Sequence, residues 1–576
     1  MSIKRRYFFL AVIIILASLL RFGWLDRIPN GISADEVDYL FTARSIVLNG
    51  SDIGGEWSPS SLLWFKYPSI ETPKAELSYF LHLPSIAMAK FSLFTARAPF
   101  VLLNVLTVLV LYLVTKKLLG RGIALYTAFI SAINPWGIFI GRTAYEMPLA
   151  VLFYLLGLYL LFVLKGWRIL VVIPVFVLAF YSYIGTKVVL LPFVIISAYF
   201  AYRYFNKRKY LKQYLMVIIS AFLLTLLYLI SVTTTTQASR VTEILSPAHQ
   251  DIIDTVDMTR KTSINTWFTN IFVNKLTVFI QVVVIKFFRV FSTENLFISG
   301  DKFFGIYKHG LFYYIDFAFL LLGSLMLYYK QKRKYILLLA LIVLGTVPQV
   351  IHQGIADNMV AHIVLIFPFM TIIIASGIWY LLSWIRRYRY LYKPSLFLVL
   401  IIYVLSLVNF LNLYLHYHSI QPGNFELNKR VLSRYISLAE QKDISVQFLG
   451  SDPFGNFKKY LLYSNSYNRE NVEEIEEKYK NGIYEQGEVR FEHCLPDQYP
   501  AESTDVIIMD RDCLVGGQER LSIARLIDNS EIYKIYNDRV CSGFDLKQRV
   551  HITQLGDFAI ENLSPEEFCE IYILNL

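Results

Sequence analysis

Hydrophobic residues in this chain come in long unbroken runs, and polar residues gather between the runs instead of alternating with them. Eleven runs have the length of helices in lipid: about 7–25, 94–115, 122–140, 148–165, 168–183, 187–203, 213–231, 311–330, 335–352, 359–382 and 395–415. Crossing a hydrocarbon core of roughly 30 Å takes about 20 apolar residues. The runs are predicted to be helices because each unpaired backbone amide in lipid costs several kcal/mol. The first run is expected to stay in place and not to be a cleaved leader, because no small-residue cleavage site follows it and Arg21 interrupts it late.

Three stretches fall outside this pattern. An outer loop at about 26–93 is too long for a simple connection. It holds two segments of helical periodicity, Glu36 to Leu48 and Lys74 to Phe91, that suit helices lying in the membrane interface. A second long loop, about 232–310, contains the apolar stretch Val278 to Phe291; Gln281, Lys286 and Arg289 interrupt it, which predicts an interfacial or re-entrant segment, with a twelfth crossing as the alternative. The last stretch, 420–576, has the size of a domain. A helix pattern from Leu427 to Ala439 precedes strand patterns at 444–449, 488–491, 506–509 and 532–535, predicting a small α/β domain behind a membrane module of residues 1–419.

Charge orients this arrangement. Lys4-Arg5-Arg6, Lys116-Lys117 with Arg121, Lys165 with Arg168, Arg203 with Lys207-Arg208-Lys209, Lys332-Arg333-Lys334 and Arg386-Arg387 with Arg389 fall on alternate turns between runs, with no Asp or Glu among them. Positively charged loops stay inside, so the N-terminus is expected in the cytoplasm of a cell-membrane protein and the C-terminal domain outside it. The net charge of +11, with 55% hydrophobic residues and a mean hydropathy of +0.47, then reflects topology and attraction to membrane lipids, and nucleic acid is excluded as a partner. All four cysteines, Cys494, Cys513, Cys541 and Cys569, lie in the last domain. Outside the cytoplasm they suit two disulfides, with three pairings open.

An active site outside the cytoplasm has no nucleotide sugar to draw on. Activated sugars there arrive on polyprenyl phosphates, so a transferase needs a carboxylate to deprotonate the acceptor, cations for the leaving phosphate, and a polar sugar pocket. Asp35 and Glu36, just beyond the outer end of the first run, are the carboxylate candidates. Acidic residues in a first helical turn also complement the helix dipole, which is the structural alternative. Cations on the same side are Lys74, Arg97, Arg142 and Lys187. Arg142 and Glu146 stand four apart, the spacing of a helical pair. His352, Asp357, Asn358 and His362 cluster at another outer loop. No nucleotide or redox cofactor is required; a divalent metal is compatible with the chain, but nothing in it calls for one.

These residues occur in an ordered series. It runs Ala34-Asp35-Glu36, Ala43-Arg44-Ser45-Ile46, Gly50-Ser-Asp52, Lys74-Ala-Glu-Leu77, Phe94-Thr-Ala-Arg97-Ala-Pro99, Asn134-Pro135-Trp136, Arg142-Thr-Ala-Tyr-Glu146, and Phe180-Tyr-Ser-Tyr183 before Lys187. In this the chain resembles the class C glycosyltransferases of family 39, which include protein O-mannosyltransferases and lipid A aminoarabinose transferases, over about 7–230 and more faintly to 416. The resemblance implies a polytopic α-helical membrane enzyme that moves a sugar, with inversion, from a polyprenyl-phosphate carrier to an acceptor protein, lipid or glycan. Asp35 would be the general base, with Glu36 supporting it. Lys74, Arg142 and Lys187 would contact phosphate or sugar, and Arg97, Glu146, Tyr183 and His362 complete the candidate substrate-binding set. Departures are Lys-Ala-Glu-Leu in place of Lys-Pro-Pro-Leu, which brings Glu76 towards the phosphate site, and Lys187 where relatives often carry arginine. The rival readings are an oligosaccharide ligase or polymerase using a lipid-diphosphate donor, and a transporter of lipid-linked sugars.

Overall fold

The computed structural model describes residues 3–64, 76–205, 208–234, 249–264, 266–301, 304–306, 308–352, 360–418, 425–494, 505–511, 513, 520–524, 531–544, 552 and 554–575. The chain divides into two compact units. One comprises Met1–Gly23, Thr72–Leu77 and Phe100–Leu413; the other comprises Trp24–Glu71, Ser78–Pro99 and Tyr414–Leu576. This is not the linear division at residue 419 expected from sequence. Most of the first outer loop folds with the C-terminal residues, because its helix contributes apolar side chains to their core.

Among the described residues, seven helices are long and apolar enough to cross a membrane: Leu93–Leu118, Ile184–Tyr204, Leu211–Ser231, Lys275–Ile298, Tyr314–Ile351, Ile366–Ile385 and Arg389–Tyr417. Four shorter apolar helices, Tyr7–Phe22, Arg121–Ile133, Met147–Val163 and Gly166–Ser182, cover the remaining expected runs. The protein is a multi-pass membrane protein. The two expected runs 311–330 and 335–352 are two helices that meet at Gln331 (φ −144°, ψ 44°), within Lys330-Gln-Lys-Arg-Lys334, and together cover Tyr314–Ile351. The stretch expected to be interfacial or re-entrant lies within a helix, Lys275–Val290, that has the length and composition of a span when extended to Ile298.

In the first unit the helix Ile366–Ile385 is central, most of its residues being buried. It meets Tyr314–Gly345 backbone to backbone. A Cβ on Gly323 would lie 2.0 Å from the Ile373 carbonyl oxygen, and one on Gly377 would lie 2.1 Å from that of Phe319. Small residues allow this approach, which replaces a hydrophobic driving force absent between helices in lipid. Arg21, the late interruption of the first run, is buried. Its guanidinium donates to the Asn104 side chain and to the carbonyls of Ala132 (2.8 Å) and Ser131 (3.1 Å), tying the first helix to two neighbours.

Among the described residues, the second unit is built on a seven-stranded sheet: β1 (Val446–Gly450), β2 (Tyr484–Gln486), β3 (Val489–His493), β4 (Val506–Asp510), β5 (Arg520–Ala524), β6 (Glu531–Tyr536) and β7 (Ile573–Asn575), in the order β2-β3-β1-β4-β6-β5-β7. β1 pairs in parallel with β3 and β4 and is buried along its whole length, as a strand covered on both faces must be. The remaining pairings are antiparallel. The expected helix is Leu427–Glu440, and the first outer loop supplies Ala34–Asn49 and Glu76–Met88. Val37, Leu40 and Phe41 of the loop share one core with Tyr435, Ile436, Tyr460 and Phe491.

The cysteines pair Cys494–Cys513, joining the segments after β3 and β4, and Cys541–Cys569, joining the segment after β6 to the helix Pro565–Tyr572. Cross-links spanning 19 and 28 residues each restrict the unfolded chain. The Cys541→Ser, Cys569→Ser variant should therefore lose about 2–4 kcal/mol of stability in this unit. Amide exchange should speed up in β4 and β6 and stay unchanged in Ile366–Ile385; unchanged exchange in the strands would refute it.

Candidate functional site

Asp35 and Glu36 are adjacent in sequence but occupy different surroundings. Both sit in the first turn of Ala34–Asn49, where Ser33 is the N-cap. The Ser33 hydroxyl accepts from the Glu36 amide at 3.2 Å, and Glu36 Oε2 accepts from the Ser33 amide at 2.9 Å, the reciprocal capping box. Glu36 is fully buried. Arg97 Nε donates to its Oε1 at 3.0 Å and Arg97 Nη2 to its Oε2 at 3.1 Å. Arg97 Nη1 also donates to the Pro29 carbonyl at 2.7 Å, and Nη2 to that of Gly31. With both oxygens held, Glu36 is an anchor for the turn. Asp35 is half-buried at the preceding position. Arg97, a candidate substrate cation, is committed to this turn.

His82, unforeseen from sequence, lies buried in Glu76–Met88. Burial pulls its pKa down to about 3, against the opposing pull of Glu36. An unfolded chain protonates the same imidazole near 6.5. The folded-state pKa is depressed, so the neutral ring's contribution is fully present above pH 6.5 and erodes as pH falls from there towards 3, by roughly 1.4 kcal/mol per pH unit. The second unit's stability should show this slope, and His82→Gln should flatten it; equal acid dependence of the two proteins would overturn the assignment.

The first unit holds the other candidates. Lys187 lies in the turn Ile184–Val189, fully buried, with Nζ 2.6 Å from Glu76 Oε1. Three rings surround the ammonium: Tyr228 at 4.8 Å, Phe180 at 5.2 Å and Tyr181 at 5.7 Å. The two departures from the family pattern, Glu76 and Lys187, are thus partners. Tyr183, on the same turn, brings its hydroxyl to 3.4 Å from His362 Nδ1. The His362 ring lies 4.4 Å from that of His352, whose carbonyl accepts from Lys286.

Arg142 is buried and donates to the carbonyls of Leu20 (3.0 Å) and Arg21 (3.2 Å), closing the C-terminal end of the first helix. Glu146 is buried at the N-cap of Met147–Val163. Lys74, Asp357 and Asn358 lie outside the described residues. Among the described residues no three His, Cys, Asp or Glu side chains converge as a metal site.

The buried Glu76–Lys187 pair invites a double-mutant test. Glu76→Leu alone leaves a buried ammonium without its counter-charge, which costs about 3–5 kcal/mol. Glu76→Leu with Lys187→Met should regain most of that in thermal unfolding in detergent. Additive losses would mean the two side chains are not coupled.

No family model matches the sequence, and no curated protein matches it. Solved structures do. ArnT from Cupriavidus metallidurans bound to undecaprenyl phosphate aligns over 96% of this chain and 100% of its own, with a TM-score of 0.51 at 11% identity. The same protein in the apo state aligns over 94% and 99%, with a TM-score of 0.50 at 10% identity. Archaeal oligosaccharyltransferase AglB from Archaeoglobus fulgidus, in complex with an inhibitory peptide and a dolichol-phosphate, aligns over 88% and 70%, with a TM-score of 0.46 at 13% identity. The end-to-end match to ArnT gives the fold: mostly helical in the membrane, with a smaller sheet-containing C-terminal part.

Proposed function

We propose that the protein is an inverting glycosyltransferase that moves one hexose or pentose from a polyprenyl-phosphate carrier to an acceptor on the extracytoplasmic side of the membrane. The observation that carries this reading is the full-length fold match to ArnT, itself solved with undecaprenyl phosphate bound. The acceptor hydroxyl, or a similar nucleophile, attacks the anomeric carbon. The bond from that carbon to the phosphate oxygen breaks, polyprenyl phosphate departs, and the acceptor proton passes to Asp35. Every step balances without a redox partner or a metal ion.

Asp35 is taken as the base from its place in the Ala34-Asp35-Glu36 motif, as a half-buried residue in the first turn of Ala34–Asn49; Glu36 is the capping partner and is ion-paired with Arg97. Glu36 keeps that turn in shape. Lys74, Arg142, Lys187, Glu146, Tyr183 and His362 are assigned to the donor's sugar and phosphate, with Glu76 as the group the phosphate must compete with at Lys187. The cytoplasmic N-terminus and external C-terminal unit rest on the basic loops and on two disulfides, which persist outside the reducing cytoplasm.

The test offers polyprenyl-phosphate hexoses and pentoses to the purified protein in nanodiscs and follows release of free polyprenyl phosphate. Wild type should release carrier. Asp35→Asn should be slower by roughly 100-fold or more, the usual contribution of a general base. Equal release by both proteins discards Asp35; release of a polyprenyl diphosphate instead identifies an oligosaccharide ligase.

A further inference from the structure

The backbone immediately before Asp35 is held by side chains that lie some four hundred residues further along the chain. Arg430 Nη1 donates to the Asn30 carbonyl at 2.8 Å, while its other nitrogens grip the Glu561 carboxylate. The Ile32 amide donates to the Tyr463 hydroxyl at 3.0 Å. Gly31 stands so close to Phe425 that a Cβ there would come within 2.0 Å of the Phe425 carbonyl oxygen. From the start of the helix Leu93–Leu118, Arg97 takes the carbonyls of Pro29 and Gly31. The carbonyls of residues 29, 30 and 31 and the amides of residues 32 and 33 are thus all assigned to specific partners.

The same grip continues along the helix Ala34–Asn49. Lys458 pairs with Asp38, Arg44 Nε donates to the Tyr467 carbonyl at 3.0 Å, and the Tyr467 ring stacks on Phe41 with centroids 5.0 Å apart. Apolar burial alone would attach the helix without fixing its register or the shape of its N-terminal turn. Arg430 and Tyr463 are different. Both are largely buried, so an aliphatic contact in their place would avoid the desolvation of a charge and a hydroxyl. What they add is direction: each is aimed at one backbone atom of residues 30–32.

We propose that the C-terminal part of the chain is a positioning clamp for the segment that carries Asp35, with Arg430 and Tyr463 as positioning residues. This rests on the reading of Asp35 as the base. A base works only within hydrogen-bond reach of the proton it takes, and an error near 1 Å costs about a hundredfold in rate. The clamp supplies that accuracy from the folded sheet domain to an otherwise long surface loop.

The experiment uses the full chain in nanodiscs, with Tyr463→Phe, Arg430→Met and Arg430→Lys, and with Arg539→Ala as a control in an exposed ion pair elsewhere in the same unit. Amide exchange of the 30–49 peptides and donor kinetics are both measured. In Tyr463→Phe and Arg430→Met, exchange at residues 30–40 should accelerate at least about tenfold, because a buried backbone group loses its hydrogen-bond partner. β1 and Ile366–Ile385 should exchange as in wild type. Turnover should fall roughly 10- to 100-fold with donor KM within twofold, Arg430→Lys should recover part of both effects, and Arg539→Ala should change neither. Unchanged exchange at 30–40, or faster exchange spread equally over β1, overturns the clamp, as does a loss confined to KM. If Asp35→Asn turns over like wild type, the base assignment fails separately, and the exchange arm alone then decides whether the segment is held.

Discussion

Arg97 brings a charged fork of N–H donors into a fully buried position, and the chain around Asp35 takes the shape those donors demand. A guanidinium without matched acceptors in such surroundings would cost several kcal/mol. Its acceptors are both oxygens of Glu36 and the carbonyls of Pro29 and Gly31, with the Phe425 ring 5.5 Å away. The turn at 29–31 must therefore point its carbonyls inward, and the helix that follows must begin at Ser33, because Glu36 is already fixed as its capping partner. The helix start, the ion pair and the turn are one construction. Asp35 is a half-buried residue of that turn.

The same rule governs the membrane helices, where polar groups are kept only with their partners. Arg21 is tolerated inside a helical bundle because carbonyls at the end of Arg121–Ile133 and the Asn104 side chain receive it. Asp316 sits fully buried near the start of Tyr314–Gly345, accepting from the Tyr313 amide at 3.0 Å and from the Tyr403 hydroxyl. Lys187 is held by Glu76 and enclosed by aromatic rings, whose faces are among the few apolar surfaces that attract a cation.

How much of this was legible in the sequence depends on the range of the interaction. The spanning helices were readable because a run of about 20 apolar residues leaves one structural solution in lipid. Leu427–Glu440 and four strands of the sheet were readable from their residue pattern; β2 and β7 were not, being three residues each, and β5 was missed although Arg520-Leu-Ser-Ile-Ala524 alternates. The acidic first turn at Asp35-Glu36 was readable from the sequence as the alternative of a helix start; the Ser33–Glu36 capping box was missed, although the spacing of its serine and glutamate carries that signal. What periodicity cannot show is a partner hundreds of residues away. The pairing of Lys187 with Glu76, the disulfide connectivity, and the union of the first outer loop with the last domain all depend on contacts between distant segments.

That union explains an arrangement the linear sequence makes look wasteful. On the proposed assignment of Asp35 as the base, a loop about 70 residues long has to be immobilised, and the loop's own helices are too short to build a core alone. A second domain that lends it Tyr435, Ile436, Tyr460 and Phe491 as core, and Arg430 and Tyr463 as hydrogen-bond partners, solves both problems at once. The apolar part supplies affinity and the polar part supplies aim. On this view the sheet tolerates change wherever it only faces solvent, and is constrained where it meets residues 30–49. The constraint is strongest at Gly31, because any side chain there would strike the backbone of Phe425 and push the turn, and Asp35 with it, away from its place.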